Sequence, residues 1–365
     1  MAERRRKNED ENHGGERPPK IQRVNPVQPV QPPVQPPVQP PINLDDMDNI
    51  KHYTINTRQT IGSTPLVMGY DVSVVPPARI TAKFVESDVT AAFMATEGRV
   101  YHALSNQPHP NMPHIRCCLT ASDGEQRSYV ISDAYFGDLQ SYMRSLQGSP
   151  LPEARVLSLF SQLVDALVYC HSNRIVLRDM KLGKVMFSDA NNTRIVIADL
   201  TNAIVMPVSV NVVHDQQGSP AYVAPEVLSS RPHDPFKTDI WSLGVILFVL
   251  LSGRYPFMDP RPAVLFRKIT VGPIEVPEDF PPAARALVIQ MLSRDPAVRP
   301  SIQQIKDNLW VSGGVAAAPV VVPVPQTVAP VAAPVAAEED DDDEYEEDDD
   351  DEDYSRDVPE WEPNA

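Results

Sequence analysis

The stretch that most restricts the fold is "TDIWSLGVILFVLLSG", Thr238 to Gly253. Its apolar residues fall on nearly every side of a helix, so no face is left for water. From Ile240 to Gly253 the run is shorter than the roughly 20 residues that a bilayer-spanning helix needs. A helix of this kind has to be enclosed by other elements, and that requires a large lobe around it. The chain has 365 residues, enough for one large domain or two smaller ones.

Composition shows where that lobe lies. The run "PVQPVQPPVQPPVQPP" from Pro26 to Pro41 removes backbone donors and fixes φ, which favours an extended polyproline II spacer. A second Pro/Ala/Val stretch leads from Val315 to Ala337, and the acidic run Glu338 to Asp353 follows it. Fifteen carboxylates in that run account for nearly all of the formal net charge of −17, so the rest of the chain is close to neutral. A block of like charge stays solvated and self-repelling. The organisation expected is a disordered segment over 1–48, basic and then Pro/Val/Gln-rich, a folded domain over 49–311, and a disordered tail over 312–365.

Within the folded span the pattern changes along the chain. Short β-rich runs come first, "ARITAKFV" at Ala78 to Val85 and "RSYVIS" at Arg127 to Ser132. From Glu153 onward Val156, Leu159, Phe160, Leu163, Leu167 and Cys170 recur at three- and four-residue steps and make one apolar helix face. "PAARALVIQMLSRD" is a further amphipathic helix with Pro282 in its first turn. The fold class expected is α+β, bilobal, with a small β-rich N-lobe and a larger α-helical C-lobe. Cys117, Cys118 and Cys170 give neither a disulfide framework nor a CxxC metal spacing, and the N-terminal residues lack the apolar core of a secretory signal. These features point to a nuclear and/or cytoplasmic protein that engages no membrane and no nucleic acid directly. "RRRK" at Arg4 to Lys7 is compatible with nuclear import.

Several signatures follow one another in a fixed order: "VLRDMKLGKVMF", "GSPAYVAPEVL", the central helix, "GRYPFMDPRPAVLFRKI" and "SRDPAVRPS". The set resembles that of a protein kinase domain, and its details resemble the Tribbles pseudokinases over about Tyr129 to Trp310. The resemblance implies that Glu226 and Arg299 form the ion pair tying the activation segment to the lower lobe. It also implies that Asp239 caps the backbone of the catalytic loop.

Phosphoryl transfer needs phosphate-cradling amides, a lysine with its glutamate, and ligands for magnesium. The stretch before Lys83 holds only Gly62 and Gly69, with no G-x-G-x-x-G. Lys83 in "ITAKF" has two readings, a contact to ATP phosphates or a lysine paired locally. Glu97 reads as an ordinary solvated glutamate, because it lies early and Gly98 follows it. In the catalytic loop Leu177 replaces the usual His and Lys184 the metal-ligating Asn, while Asp179 and Lys181 remain. "ADLT" retains Asp199 but puts Thr201 where Asp-Phe-Gly has its glycine. An ammonium near a Mg²⁺ site is repulsive by up to a few kcal/mol at an effective dielectric near 20. Asp179, Lys181 and Asp199 therefore read as remnants. No cofactor is required, and any ATP binding is weak with no strong magnesium dependence.

After the acidic run, "DVPEW", comprising Asp357, Val358, Pro359, Glu360 and Trp361, resembles the motif by which Tribbles proteins bind the constitutively photomorphogenic E3 ubiquitin ligase. The resemblance further implies a CCAAT/enhancer-binding bZIP transcription factor as client. A MAP kinase kinase is a family partner whose docking segment has no clear match here. The leading expectation is a catalytically impaired adaptor. Its alternatives are a weak atypical Ser/Thr kinase using Lys83, Asp179 and Asp199, and a nuclear acidic-tail binder of basic proteins.

Overall fold

The computed structural model describes residues 47–50, 52–61, 66–85, 97–105, 108–120, 128–229 and 231–313. "RRRK", Gly62, the Pro-Val-Gln run, the acidic run and Asp357 to Trp361 lie outside the described residues.

The first half is a six-stranded antiparallel sheet, β1 (Met47–Ile50), β2 (Tyr53–Thr60), β3 (Leu66–Asp71), β4 (Ala78–Val85), β5 (Ile115–Thr120) and β6 (Ser128–Asp133), in the order β1-β2-β3-β4-β6-β5. Strand alternation gives β3 two distinct faces. Val67 joins Tyr53, Ile55, Ile80 and Ala82 on one side, while Leu66 and Met68 belong to a separate cluster on the other. Gly69 lies inside β3 and not in a phosphate loop. A Cβ there would meet Ile80 at 2.6 Å and the Thr54 carbonyl at 2.8 Å, so the close approach of β2 requires a glycine. A helix, α1 (Glu97–Ser105), accompanies the sheet.

The second half is helical: α2 (Leu139–Ser145), α3 (Glu153–Ser172), α4 (Pro235–Ser252), α5 (Pro262–Val271), α6 (Pro282–Met291) and α7 (Ile302–Lys306). All six residues of the apolar face of α3 are buried. Helix α4 is the enclosed one. Asp234 caps its N-terminus by accepting from the Phe236 amide, Pro235 occupies its first turn, and Gly253 ends it at φ +71. Counted from Pro235 the helix has 18 residues, more than the apolar run alone, and by length and composition could cross a membrane, yet 83% of it is buried in the lobe. Ser301 and Gln304 form a reciprocal capping box on α7. Short strands β7 (Ile175–Val176), β8 (Val185–Phe187), β9 (Ile195–Ile197) and β10 (Ile204–Val205) carry the loops that face the sheet. The result is an α+β bilobal fold of the protein kinase kind.

Candidate functional site: an ionic cleft and two anchors

Between the sheet and the β8–β9 hairpin, five charged side chains form a continuous buried network. Lys83 on β4 donates from Nζ to both Glu97 oxygens at 2.8 and 2.9 Å, and to Asp199 Oδ1 at 3.0 Å. It also donates to the Thr201 hydroxyl at 2.6 Å, which in turn donates to Asp199 at 2.6 Å. Lys184 lies 2.5 Å from Asp179 Oδ2 and 3.7 Å from Asp199 Oδ2. Each of the five charged residues is less than a tenth exposed.

This corrects the reading of Glu97, which is 3% exposed and paired with Lys83. Helix α1 begins at Glu97, and Tyr101, one turn later, donates its hydroxyl to Glu97 Oε1 at 2.6 Å. Gly98 is accommodated in that first turn. A signal was present in the sequence: Glu97, Val100, Tyr101 and Leu104 lie at steps of three, four and seven, and all four are buried.

The electrostatics follow from this packing. Burial alone would push the Asp199 carboxyl up, but Lys184 and Lys83, with the Thr201 hydroxyl, hold it well below the ordinary carboxylate range. Burial also opposes ionisation of Asp179, and Lys184, Lys181 and the Ser219 hydroxyl outweigh it. Asp179 further accepts from the Ser219 amide at 2.9 Å and from the Asn202 side chain at 3.1 Å. Both carboxylates are therefore ionised, and their oxygens are engaged by donors of the chain itself. The donor set does not suit magnesium. A metal at Asp199 would have to displace an ammonium, and the position of its second ligand is an ammonium.

The lower lobe holds two other ionic features. Arg299 makes a bidentate pair with Glu226 at 2.5 and 2.7 Å, donates to the carbonyls of Ser293 and Lys237, and stacks on Trp241 at 5.0 Å. Asp239 on α4 accepts from the amides of Leu177 and Arg178, both at 2.9 Å, and meets His171 Nε2 at 3.0 Å. Leu177, in the histidine position, is buried among apolar side chains. Arg178 continues the chain of contacts, donating to the Asn202 carbonyl at 2.7 Å and pairing with Asp215 in the activation segment. Beyond Asp215 that segment forms one wall of a groove of about 480 Å³. Gly218, Pro220 and Val223 line one side of it, and Pro262, Leu265 and Phe266 of α5 the other.

Residues 80–311 match the protein kinase domain, and the chain belongs to that family. Within it the chain is similar to Tribbles proteins over about half its length. It is 43% identical over 209 residues to Tribbles homolog 3 of Rattus norvegicus, covering 55% of this chain and 59% of that protein. It is 38% identical over 190 residues to Tribbles homolog 2 of Canis lupus familiaris, covering 52% and 55%. To Tribbles homolog 1 of Homo sapiens it is 39% identical over 188 residues, covering 51% and 50%. The match thus spans between a half and three fifths of these relatives.

Proposed function

We propose that this protein is a pseudokinase adaptor: a folded lobe that docks a client, joined to a tail that recruits a ubiquitin ligase. The observation that carries the reading is Lys184. Its ammonium sits against Asp179 and Asp199, where phosphoryl transfer needs a magnesium ligand. A site in which a fixed side-chain cation holds both carboxylates has lost its means of placing a metal-bound triphosphate. It needs no cofactor, and nucleotide would bind weakly and without strong help from magnesium.

The groove between the activation segment and α5 is mainly apolar, with Gln216, Asp259, Arg267 and Thr270 adding polar groups to its lining, and suits a client segment. By its Tribbles kinship the client is a CCAAT/enhancer-binding bZIP factor. The ligase is of the constitutively photomorphogenic type, held by Val358, Pro359, Glu360 and Trp361 with Asp357 and the acidic run steering the approach. Client turnover in the nucleus and cytoplasm, with effects on stress and MAP kinase signalling, would follow. A MAP kinase kinase is a further partner of this reading.

The intact Lys83–Glu97 pair favours a second reading, residual phosphotransferase activity. Incubation of the full chain with Mg-ATP and generic substrates separates the two. No transfer above background is expected, and robust turnover lost in Asp179→Asn would establish the enzyme. For the adaptor, a peptide spanning Tyr354 to Ala365 is titrated into the ligase's recognition domain. Replacement of Val358 and Pro359 by alanine abolishes its binding, whereas equal binding by both peptides would remove the ligase from the reading.

A further inference from the structure

Along β4, one same-face step from Lys83 toward the chain that joins the lobes leads to Thr81, whose cross-strand partner is Ser132. A nucleotide with its phosphates at Lys83 would place its base here. The space beside Thr81 is bounded by the sheet, by the β8–β9 hairpin and by Tyr135 of the chain joining the lobes. A flat heteroaromatic ring needs two things at such a place, an apolar slot and a backbone donor or acceptor at the slot's edge.

Both are already occupied by the chain itself. The Tyr135 amide donates to the Thr81 hydroxyl at 3.1 Å, within the protein interior. The Tyr135 side chain is 2% exposed and belongs to one apolar cluster with Leu66 and Met68 of β3 and with Met186, Val196 and Ala198 of the β8–β9 hairpin. Burial raises the Tyr135 hydroxyl above the ordinary phenol range, as expected for a ring enclosed on all sides. A ligand ring would have to expel this aromatic surface from its packing and break a buried hydrogen bond to gain the same donor.

We propose that Tyr135 and Thr81 together close the cleft to adenine and to other flat heteroaromatic ligands. Selection against nucleotide is then made twice, at the base end by this pair and at the metal end by Lys184. The inference deepens the adaptor reading and can fail separately from it.

Adenosine tests it, because adenosine carries no phosphate and is indifferent to Lys184. Calorimetric titration of the full chain is expected to show no binding for the unaltered protein. The Thr81→Ala/Tyr135→Ala variant binds at least tenfold more tightly, provided its unfolding transition shows it to be folded. Adenosine binding by the unaltered protein as tight as by the variant overturns the proposal, as does a folded variant that binds no better. Thr81→Ala alone removes little volume and supplies a second readout. Hydrogen exchange at the Tyr135 amide should quicken at least tenfold, and an unchanged rate would overturn the pairing. If the unaltered protein binds adenosine but transfers no phosphate, the closure is wrong and the adaptor reading stands.

Discussion

The two buried ionic assemblies are built from the same chemistry and are used differently. At Glu226–Arg299 one cation meets one anion in a bidentate pair, and two carbonyls and an indole face take the remaining guanidinium surface. In the cleft, two ammonium groups are shared among Glu97, Asp199 and Asp179. The first is saturated and could serve any kinase. The second is a shared network in which the protein's own ammonium groups hold all three carboxylates. Charge is thus buried in both places, by one saturating pair in the anchor and by shared ammonium groups in the cleft.

Breaking the anchor should have the largest effect. Glu226→Ala leaves a fully buried guanidinium without its anion, and about 3–5 kcal/mol of stability should disappear, read from the urea midpoint at unchanged slope. In the cleft the loss should be smaller, because each carboxylate keeps other donors. Lys184→Ala is expected to cost about 1–3 kcal/mol at pH 7. The carboxyls of Asp179 and Asp199 are held low in the folded protein, so their contribution is complete above the unfolded value near pH 4 and fades as pH falls through the folded value. The gap between Lys184→Ala and the unaltered protein should accordingly narrow below about pH 4. A gap constant from pH 7 to pH 3 would mean that Lys184 acts through packing alone.

The smallest global effect belongs to Asp215, which is about a third exposed. Asp215→Ala should cost no more than about 1 kcal/mol. Its effect should instead be local, with hydrogen exchange over residues 214–223 quickening by about tenfold. Unchanged exchange there would show that the Arg178 contact does not hold the segment.

The lower lobe was legible because its signals are local. Helix α3 declares itself through a three-four repeat, and α4 through an apolar surface that only enclosure can satisfy. Lys184 was visible as a misplaced cation, although its two partners were not. Glu97 was misread because Gly98 weighed more than the buried face that Glu97 shares with Val100, Tyr101 and Leu104. Thr81 and Tyr135 carried no signal at all. They are 54 residues apart, and what matters is a hydrogen bond that appears only when β4 and β6 pair. Local periodicity reports which face is buried, and only the folded sheet reports which donor meets which acceptor.

Lys83 belongs to the sheet, and Asp199 to the loop that follows β9 in the other lobe. Their contact joins the two halves through side chains of the chain itself. A clasp made of side chains is closed from the moment the chain folds. Parting the lobes then means separating a buried ion pair, so the resistance of the cleft to opening is written into the side chains themselves.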